Sequence, residues 1–338
     1  MPVVARYSCR RARGPEPVCG GRSSLHREWR GRSGAAKVAM PGGRTIEGRI
    51  MKFFWLAAGL SLLGPPVLAQ TAPQANELWR TDNVDRPEAV HVPHGSDWAY
   101  IGNQSGAGEE TDPPGQGYVS RLNLVTGAWQ ARWSDGFDDP LGIVSQGDRL
   151  YMVDAGRHVI ALDMDSGDEL DRWTLEIDNI FLNDIAIDPD GRIWVTDTRG
   201  GRVFGLVEGS WRLLFEGDPF TGANGIEFVD GWIYVVCSSG VGNLIRVQPD
   251  TLATTVLLEG EGSLDGVVTD GRGGLVLSDL RGRLLHWSET SGLTVLDGYE
   301  DEEIMLNSIG GTPDGRFIFA PHWSSSRLSA YEIHYPAR

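Results

Sequence analysis

The sequence predicts an all-β six-bladed propeller with four strands per blade. Three observations predict it: a unit of about 42 residues occurs six times, each full unit holds four strand-like segments, and a strand-like stretch ahead of the first unit can complete the last. Each unit opens with a polar residue, Leu141 of the second excepted, then a small residue and Val or Ile. The openings are Glu88-Ala89-Val90, Leu141-Gly142-Ile143, Asn183-Asp184-Ile185, Asn224-Gly225-Ile226, Asp265-Gly266-Val267 and Asn307-Ser308-Ile309, spaced by 53, 42, 41, 41 and 42 residues.

Turns such as Asp188-Pro189-Asp190-Gly191, Asp230-Gly231, Asp270-Gly271 and Pro313-Asp314-Gly315 follow the openings and read as hairpin punctuation. They lack the full twelve-residue calcium-loop pattern. The second strands, RIWVTD, WIYVVC, GLVLSD and RFIFAP, are dense in β-branched and aromatic residues. Third strands are expected near Tyr118, His158, Arg202, Asn243, Arg283 and Arg327, and fourth strands such as SWRLLFEG and ATTVLLEG close each unit. The sixth unit ends at LSAYEIH with no room for a fourth strand, and NELWR at 76–80 is expected to supply it. That exchange closes the ring and removes its free edge, which a solenoid would have to cap instead.

Two segments fall outside this pattern. Residues 1–50 carry ten Arg and one Lys against three Glu in a Gly/Ser/Arg-rich setting, and no fold is expected there. Residues 51–69 have the order of a secretory signal: Lys52, an apolar run from Phe53 to Leu63, and Val67-Leu68-Ala69 before Gln70. The run is too short to span a bilayer, cleavage is expected after Ala69, and Met51 is expected to be the true start. The expected organisation is therefore upstream segment 1–50, signal 51–69 and propeller 70–338, in a periplasmic or secreted protein that is a monomer and leaves the membrane after cleavage.

Removing residues 1–69 takes away ten Arg, two Lys and three Glu, and leaves 18 Arg against 43 acidic residues, a formal net charge of −25. Such a polyanion disfavours nucleic acid and anionic lipid and favours cations and small molecules at its clefts. One thiol remains, Cys237, inside the apolar run 232–237, where it reads as a buried core residue.

The first strand of every propeller blade lines the axis, so Glu88, Leu141, Asn183, Asn224, Asp265 and Asn307 converge there. Asp, Glu and Asn make up about one residue in six of this chain, which predicts one such residue among six positions, and five are present. Part of the excess reflects the preference of Asn and Asp for strand entrances, but Glu88 has no such preference. The set is all oxygen, with no Cys or His. Ca²⁺ is the expected ion, with Mg²⁺ or Mn²⁺ behind it.

Pro87-Glu88, Leu182-Asn183-Asp184, Asn224-Gly225 and Leu264-Asp265-Gly266, in this order and spacing, resemble the senescence marker protein/gluconolactonase family and, more distantly, the paraoxonases. The resemblance runs from about Glu77 to His334. It implies a six-bladed propeller that hydrolyses lactones, with a divalent cation at Glu88, Asn224 and Asp265 and with Asn183 contacting metal or substrate. Family members that act on sugar lactones often carry Arg two residues before the position of Asn183. This chain has Phe181, which admits an apolar ring or chain.

In the expected mechanism a cation polarises the lactone carbonyl while a base deprotonates water. Asp265 is the first candidate for that base, although a ligand role lowers its basicity, and His322 is the alternative. Second-strand ends share the face of first-strand starts, which puts Asn103, Asp154, Asp197, Ser238, Asp279 and His322 around the axis. Phe181, Asn307, Asp197 and Asp279 are the expected substrate contacts. His91 and His94 read as structural or exposed. A Ser-His-Asp hydrolase is disfavoured because no G-x-S-x-G elbow occurs, and Gly106–Gly117 lacks the Lys of a phosphate loop. The extra residues of the first unit fall at 104–117 and are expected to overhang the site. The rival expectation is a non-catalytic propeller that binds a ligand or protein around a structural ion.

Overall fold

The computed structural model describes residues 72–104, 114–298 and 304–336. The expected upstream segment, signal segment and most of the blade-one insertion lie outside the described residues. The described part is a six-bladed β-propeller of six four-stranded antiparallel sheets.

Blade one comprises β2 (Pro87–His91), β3 (Trp98–Asn103), β4 (Gly117–Asn123) and β5 (Trp129–Phe137). Blade two comprises β6 (Pro140–Gln146), β7 (Arg149–Asp154), β8 (His158–Asp163) and β9 (Glu169–Thr174). Blade three holds β10 (Leu182–Ile187), β11 (Ile193–Asp197), β12 (Arg202–Val207) and β13 (Ser210–Glu216). Blade four holds β14 (Ala223–Val229), β15 (Trp232–Cys237), β16 (Leu244–Val247) and β17 (Thr254–Leu258). Blade five holds β18 (Leu264–Thr269), β19 (Leu275–Asp279), β20 (Arg283–Ser288) and β21 (Gly292–Gly298). Blade six has β22 (Gly310–Gly311), β23 (Phe317–His322) and β24 (Arg327–His334), and its outermost strand is β1 (Gln74–Thr81) from the other end of the chain. β1 pairs with β24 from Gln74↔His334 to Thr81↔Leu328, so the ring closes as the sequence predicts.

The alternating pattern of the second strands has a direct use. In β11, Ile193 and Val195 pack toward blade two, whereas Trp194 between them packs toward blade four. Every blade does the same, so each of the six junctions between neighbouring blades holds its own apolar cluster. The core is thus a ring of six interfaces around the axis. Fourth strands lie on the rim, where their burial is least; β9 has four exposed residues in succession. Cys237 is fully buried in the cluster between blades three and four, and burial pushes its thiol up to about 12, which suits an inert core residue.

One feature of the inner strands is not visible in the repeat pattern. In blades one to five the ladder between first and second strand slips at the opening of the unit: between Pro87 and Ala89, Pro140 and Ile143, Leu182 and Ile185, Ala223 and Ile226, and Leu264 and Val267. Each slip is a β-bulge. Glu88, Leu141, Asn183, Asn224 and Asp265 all sit inside one, and a bulge frees a residue from the ladder and re-aims its side chain.

The small residue that follows also has a physical reason. A Cβ on Gly225 would collide with the carbonyl of Asp265, and one on Gly266 would press on Ser308 and Ile309 of blade six. At these two positions only glycine lets the neighbouring inner strands approach so closely. At blade six the first strand shrinks to two residues, and the seam to blade one is held by Ser308 N–H donating to the Glu88 carbonyl (3.0 Å) and Val90 N–H to the Ser308 carbonyl (3.2 Å).

Candidate metal centre on the propeller axis

The bulges of blades one, three, four and five bring Glu88, Asn183, Asn224 and Asp265 to one end of the axis, and Asn307 takes the equivalent place in blade six; all are between 2% and 7% exposed. Blade two contributes Leu141, which has no donor atom. Each of the five polar residues has a buried oxygen without a hydrogen-bond partner among the described residues: Glu88 Oε2, Asn183 Oδ1, Asn224 Oδ1, Asp265 Oδ1 and Asn307 Oδ1. Leaving one buried acceptor unpaired costs about 1–3 kcal/mol, so five together cost on the order of 10 kcal/mol. A cost on that scale rivals the net stability of a whole domain. The column therefore calls for partners from outside the chain, ordered water or an ion, and oxygens of two carboxylates and three amides suit a hard divalent cation.

The remaining atoms of the column hold one another in place. Asn224 Nδ2 donates to Asp265 Oδ2 at 3.2 Å. Asp184 forms a floor beneath it: its Oδ1 accepts the Ile185 amide (2.9 Å), and its Oδ2 accepts the Ile226 amide (3.0 Å) and, across the axis, the Ser308 hydroxyl (3.5 Å).

Two second-strand hydroxyls lock the bulges of blades three and five to the next blade. Thr196 Oγ1 accepts the Asp184 amide at 3.0 Å and donates to the Asn224 carbonyl. Ser278 Oγ accepts the Gly266 amide at 2.9 Å and donates to the Asn307 carbonyl at 2.6 Å. Sequence reasoning missed this pair. The signal was present as the small hydroxyl residue that precedes Asp197 and Asp279 at the same place in both second strands.

Burial first, and then the charges of Asp265, Asp184 and Asp139, push the Glu88 carboxyl well above the usual carboxylate range; a hydrogen bond with Asn307 acts the other way. Burial, followed by Asp184, pushes Asp265 up to about 8 despite its bond from Asn224. Among the described residues no three of His, Cys, Asp and Glu gather as a ligand set, because the column mixes its two carboxylates with amides.

The second-strand ends do reach this end of the axis, but most of their polar atoms are already engaged. Asn103 Oδ1 accepts the Asp85 amide, and Asp154 Oδ1 accepts those of Asp138 and Asp139. Asp197 Oδ1 accepts the amides of Phe181 and Gly200, and its Oδ2 meets Arg202 at 3.3 Å. Asp279 takes the amides of Arg281 and Arg283 on Oδ1 and Arg283 Nε on Oδ2 (2.6 Å). Asp197 and Asp279, expected as substrate contacts, have no exposed surface and shape the loops around the column. His322 is equally enclosed, with Nε2 bonded to Ser329 Oγ at 2.9 Å, and burial lowers it to about 4. Phe181 is half-buried beside the column, with the Arg199 guanidinium over its ring.

A family model for the NHL repeat matches residues 181–206, which span Phe181 and the first three strands of blade three. No curated protein sequence matches the chain. Solved structures do. Virginiamycin B lyase from Staphylococcus aureus aligns with a TM-score of 0.54 at 14% identity, covering 79% of this chain and 88% of its own. A luciferin-regenerating enzyme aligns at 0.55 and 15%, covering 78% and 95%. A nidogen/laminin complex aligns at 0.52 and 16%, covering 64% and 86%. At such identities the likeness is one of fold, and that fold serves enzymes as well as a protein–protein complex.

Proposed function

We propose that this protein is an exported, metal-dependent hydrolase of lactones or related small esters. The observation that carries the reading is the set of five unpaired oxygens on the axis, one from each of five blades. The donor set fits a hard cation, with Glu88, Asn183, Asn224 and Asp265 as the residues that would hold Ca²⁺, or Mg²⁺ or Mn²⁺ in its place. When bound, such an ion supplies Lewis acidity toward an ester carbonyl oxygen. The chain supplies the rest. Five blades at most can donate, because Leu141 breaks the ring of oxygens, and this leaves a sector for substrate or water. Asn307 offers an amide to a substrate oxygen, and Phe181 offers an apolar wall, which suits an aliphatic or aryl lactone better than a polyhydroxylated one.

Export rests on the signal-like order of residues 51–69 and on a described unit whose single thiol is buried and free, so that folding needs no disulfide. The test is a panel of aliphatic, aryl and sugar lactones assayed on exported protein before and after chelation, with metal analysis alongside. Hydrolysis that chelator abolishes and Ca²⁺ restores is the expected result. Less than half an equivalent of divalent ion, no thermal shift with Ca²⁺ and no turnover on any lactone would overturn the reading in favour of a binding propeller.

A further inference from the structure

Two residues before each column position the blades share a backbone contact that defines a second ring. The amide of the residue after the second strand donates to that position's carbonyl: Gln104 to Arg86 (3.1 Å), Ala155 to Asp139 (3.1 Å), Thr198 to Phe181 (3.0 Å), Ser238 to Gly222 (2.9 Å) and Leu280 to Ser263 (2.9 Å). Met305 stands at the same distance before Asn307 in blade six. In blades one to five these residues lie immediately before the first strands, pinned to the ends of the second strands, and so form the layer next to the column at the mouth of the axis. It contains one carboxylate, Asp139.

Asp139 is held on both sides. Its amide donates to Asp154 Oδ1 at 2.7 Å, its carbonyl takes the Ala155 amide, and Pro140 restricts its backbone from the other direction. Its carboxylate is treated differently. Oδ1 is buried without a partner, no donor among the described residues reaches either oxygen, and the side chain keeps partial exposure. It lies in the sector where blade two presents Leu141 instead of a ligand, near enough to Glu88 for its charge to be felt there. Asp265, by contrast, is embedded in the column and shares a hydrogen bond with Asn224.

We infer that Asp139 is the general base of the hydrolysis proposed above, and the inference rests on that reading. Asp139 takes a proton from a water molecule as the water oxygen bonds to the carbonyl carbon. The ring C–O bond then breaks, its electron pair goes to the ring oxygen, and Asp139 returns the proton to that oxygen. Lactone and water become one hydroxy acid, and no other reactant is needed. Burial, then Asp154 and Asp138, pushes Asp139 up to about 7, where a carboxylate is an effective base near neutral pH. The ionisable groups around it are Asp138 beside it, Asp154 from β7 and Glu88 from β2; Arg172 and His158 face Asp154 and temper its charge.

The test compares wild type, Asp139→Asn and Asp139→Ser as full-length proteins, measuring kcat and KM on the lactone panel from pH 5 to 9 in saturating Ca²⁺, together with the Ca²⁺ thermal shift. The expected result is a loss of kcat of ~10²-fold or more, the range typical of a lost general base. KM and the Ca²⁺ shift stay near wild type, and the rise of rate through about pH 7 disappears. If wild type hydrolyses a lactone and either folded variant keeps its kcat or that rise, Asp139 is not the base and the hydrolase reading stands. If a variant loses the Ca²⁺ shift along with activity, Asp139 serves the ion and the inference falls. If wild type hydrolyses nothing, the hydrolase reading and the inference fall together.

Discussion

Asp265 and Asp279 lie on adjacent strands of one blade, are buried to 2% and 0% exposure, and are treated by the chain in opposite ways. Asp279 has two amides, a guanidinium Nε and a second arginine around it. Asp265 has one side-chain amide on one oxygen and nothing on the other. Type and burial match; only satisfaction differs. A buried carboxylate that the chain satisfies is scaffold, and one that it leaves open stores a cost that a ligand can relieve. The same contrast separates the satisfied acids at the second-strand ends, Asp154 and Asp197, from Glu88 on the axis.

The contrast breaks most visibly on the scaffold side. Asp279→Ala removes the acceptor of two part-buried backbone amides and the nearer of the two carboxylates around Arg283, and removing one partner of a buried pair costs about 3–5 kcal/mol. For a domain of this size that lowers Tm by roughly 6–20 °C. Thermal melts should show the drop with and without Ca²⁺, since Asp279 lies outside the proposed ligand set. A loss that Ca²⁺ rescues would place Asp279 with the column instead.

Asp265→Asn sharpens the comparison from the other side. Asn224 keeps a partner, a carboxylate disliked by its surroundings is gone, and the metal-free protein should melt no lower than wild type. What disappears is the response to the ion. Wild type should gain ~2.7 kcal/mol at a Ca²⁺ concentration 100-fold above Kd, and the variant almost none. Glu88→Gln should behave alike. A metal-free variant that melts well below wild type would show that these acids are scaffold after all.

Most of the fold was legible in the sequence because a propeller repeats its physics: the same alternation, turn chemistry and opening residues recur at one spacing, so each blade checks the others. The closing strand was legible because blade six visibly lacked one. The column was legible as a set of residue types at equivalent positions. What stayed hidden was whether a polar atom is already used. Asp197 and Asp279 look as available as Asp265 in a string of letters, and only their distances to loop amides and to Arg202 and Arg283 show that their oxygens are taken. Asp139 was hidden for a related reason. Its ring is marked by a shared backbone bond, and its side-chain types vary from blade to blade.

The mildest test concerns the opposite end of the axis, where the far ends of the inner strands line a cavity of about 510 Å³. Val90, Ile143, Ile185, Ile226 and Val267 line it together with the Glu227 carboxylate, and His91 is held there by Ser145 Oγ at 2.8 Å. Burial, and then the charge of Asp184, pushes Glu227 up to about 8, against an ordinary value of 4.5. The folded state therefore holds a proton that the unfolded chain gives up. Between those two values the native protein binds more protons than the unfolded one, so stability is fully present below pH 4.5 and is lost as pH rises through about 8. Since one pKa unit is worth 1.36 kcal/mol and the carboxyl is only half-buried against an open chamber, the loss is discounted to about 1–2 kcal/mol. Glu227→Gln carries no charge to bury. Its advantage over wild type should be near zero at pH 5 and should grow to that figure by pH 9, and denaturant melts of both proteins at pH 5, 7 and 9 measure it. A difference that stays flat across the series would mean that Glu227 is already ionised and solvated in the native chamber, and that this end of the axis holds its charge as easily as the surface does.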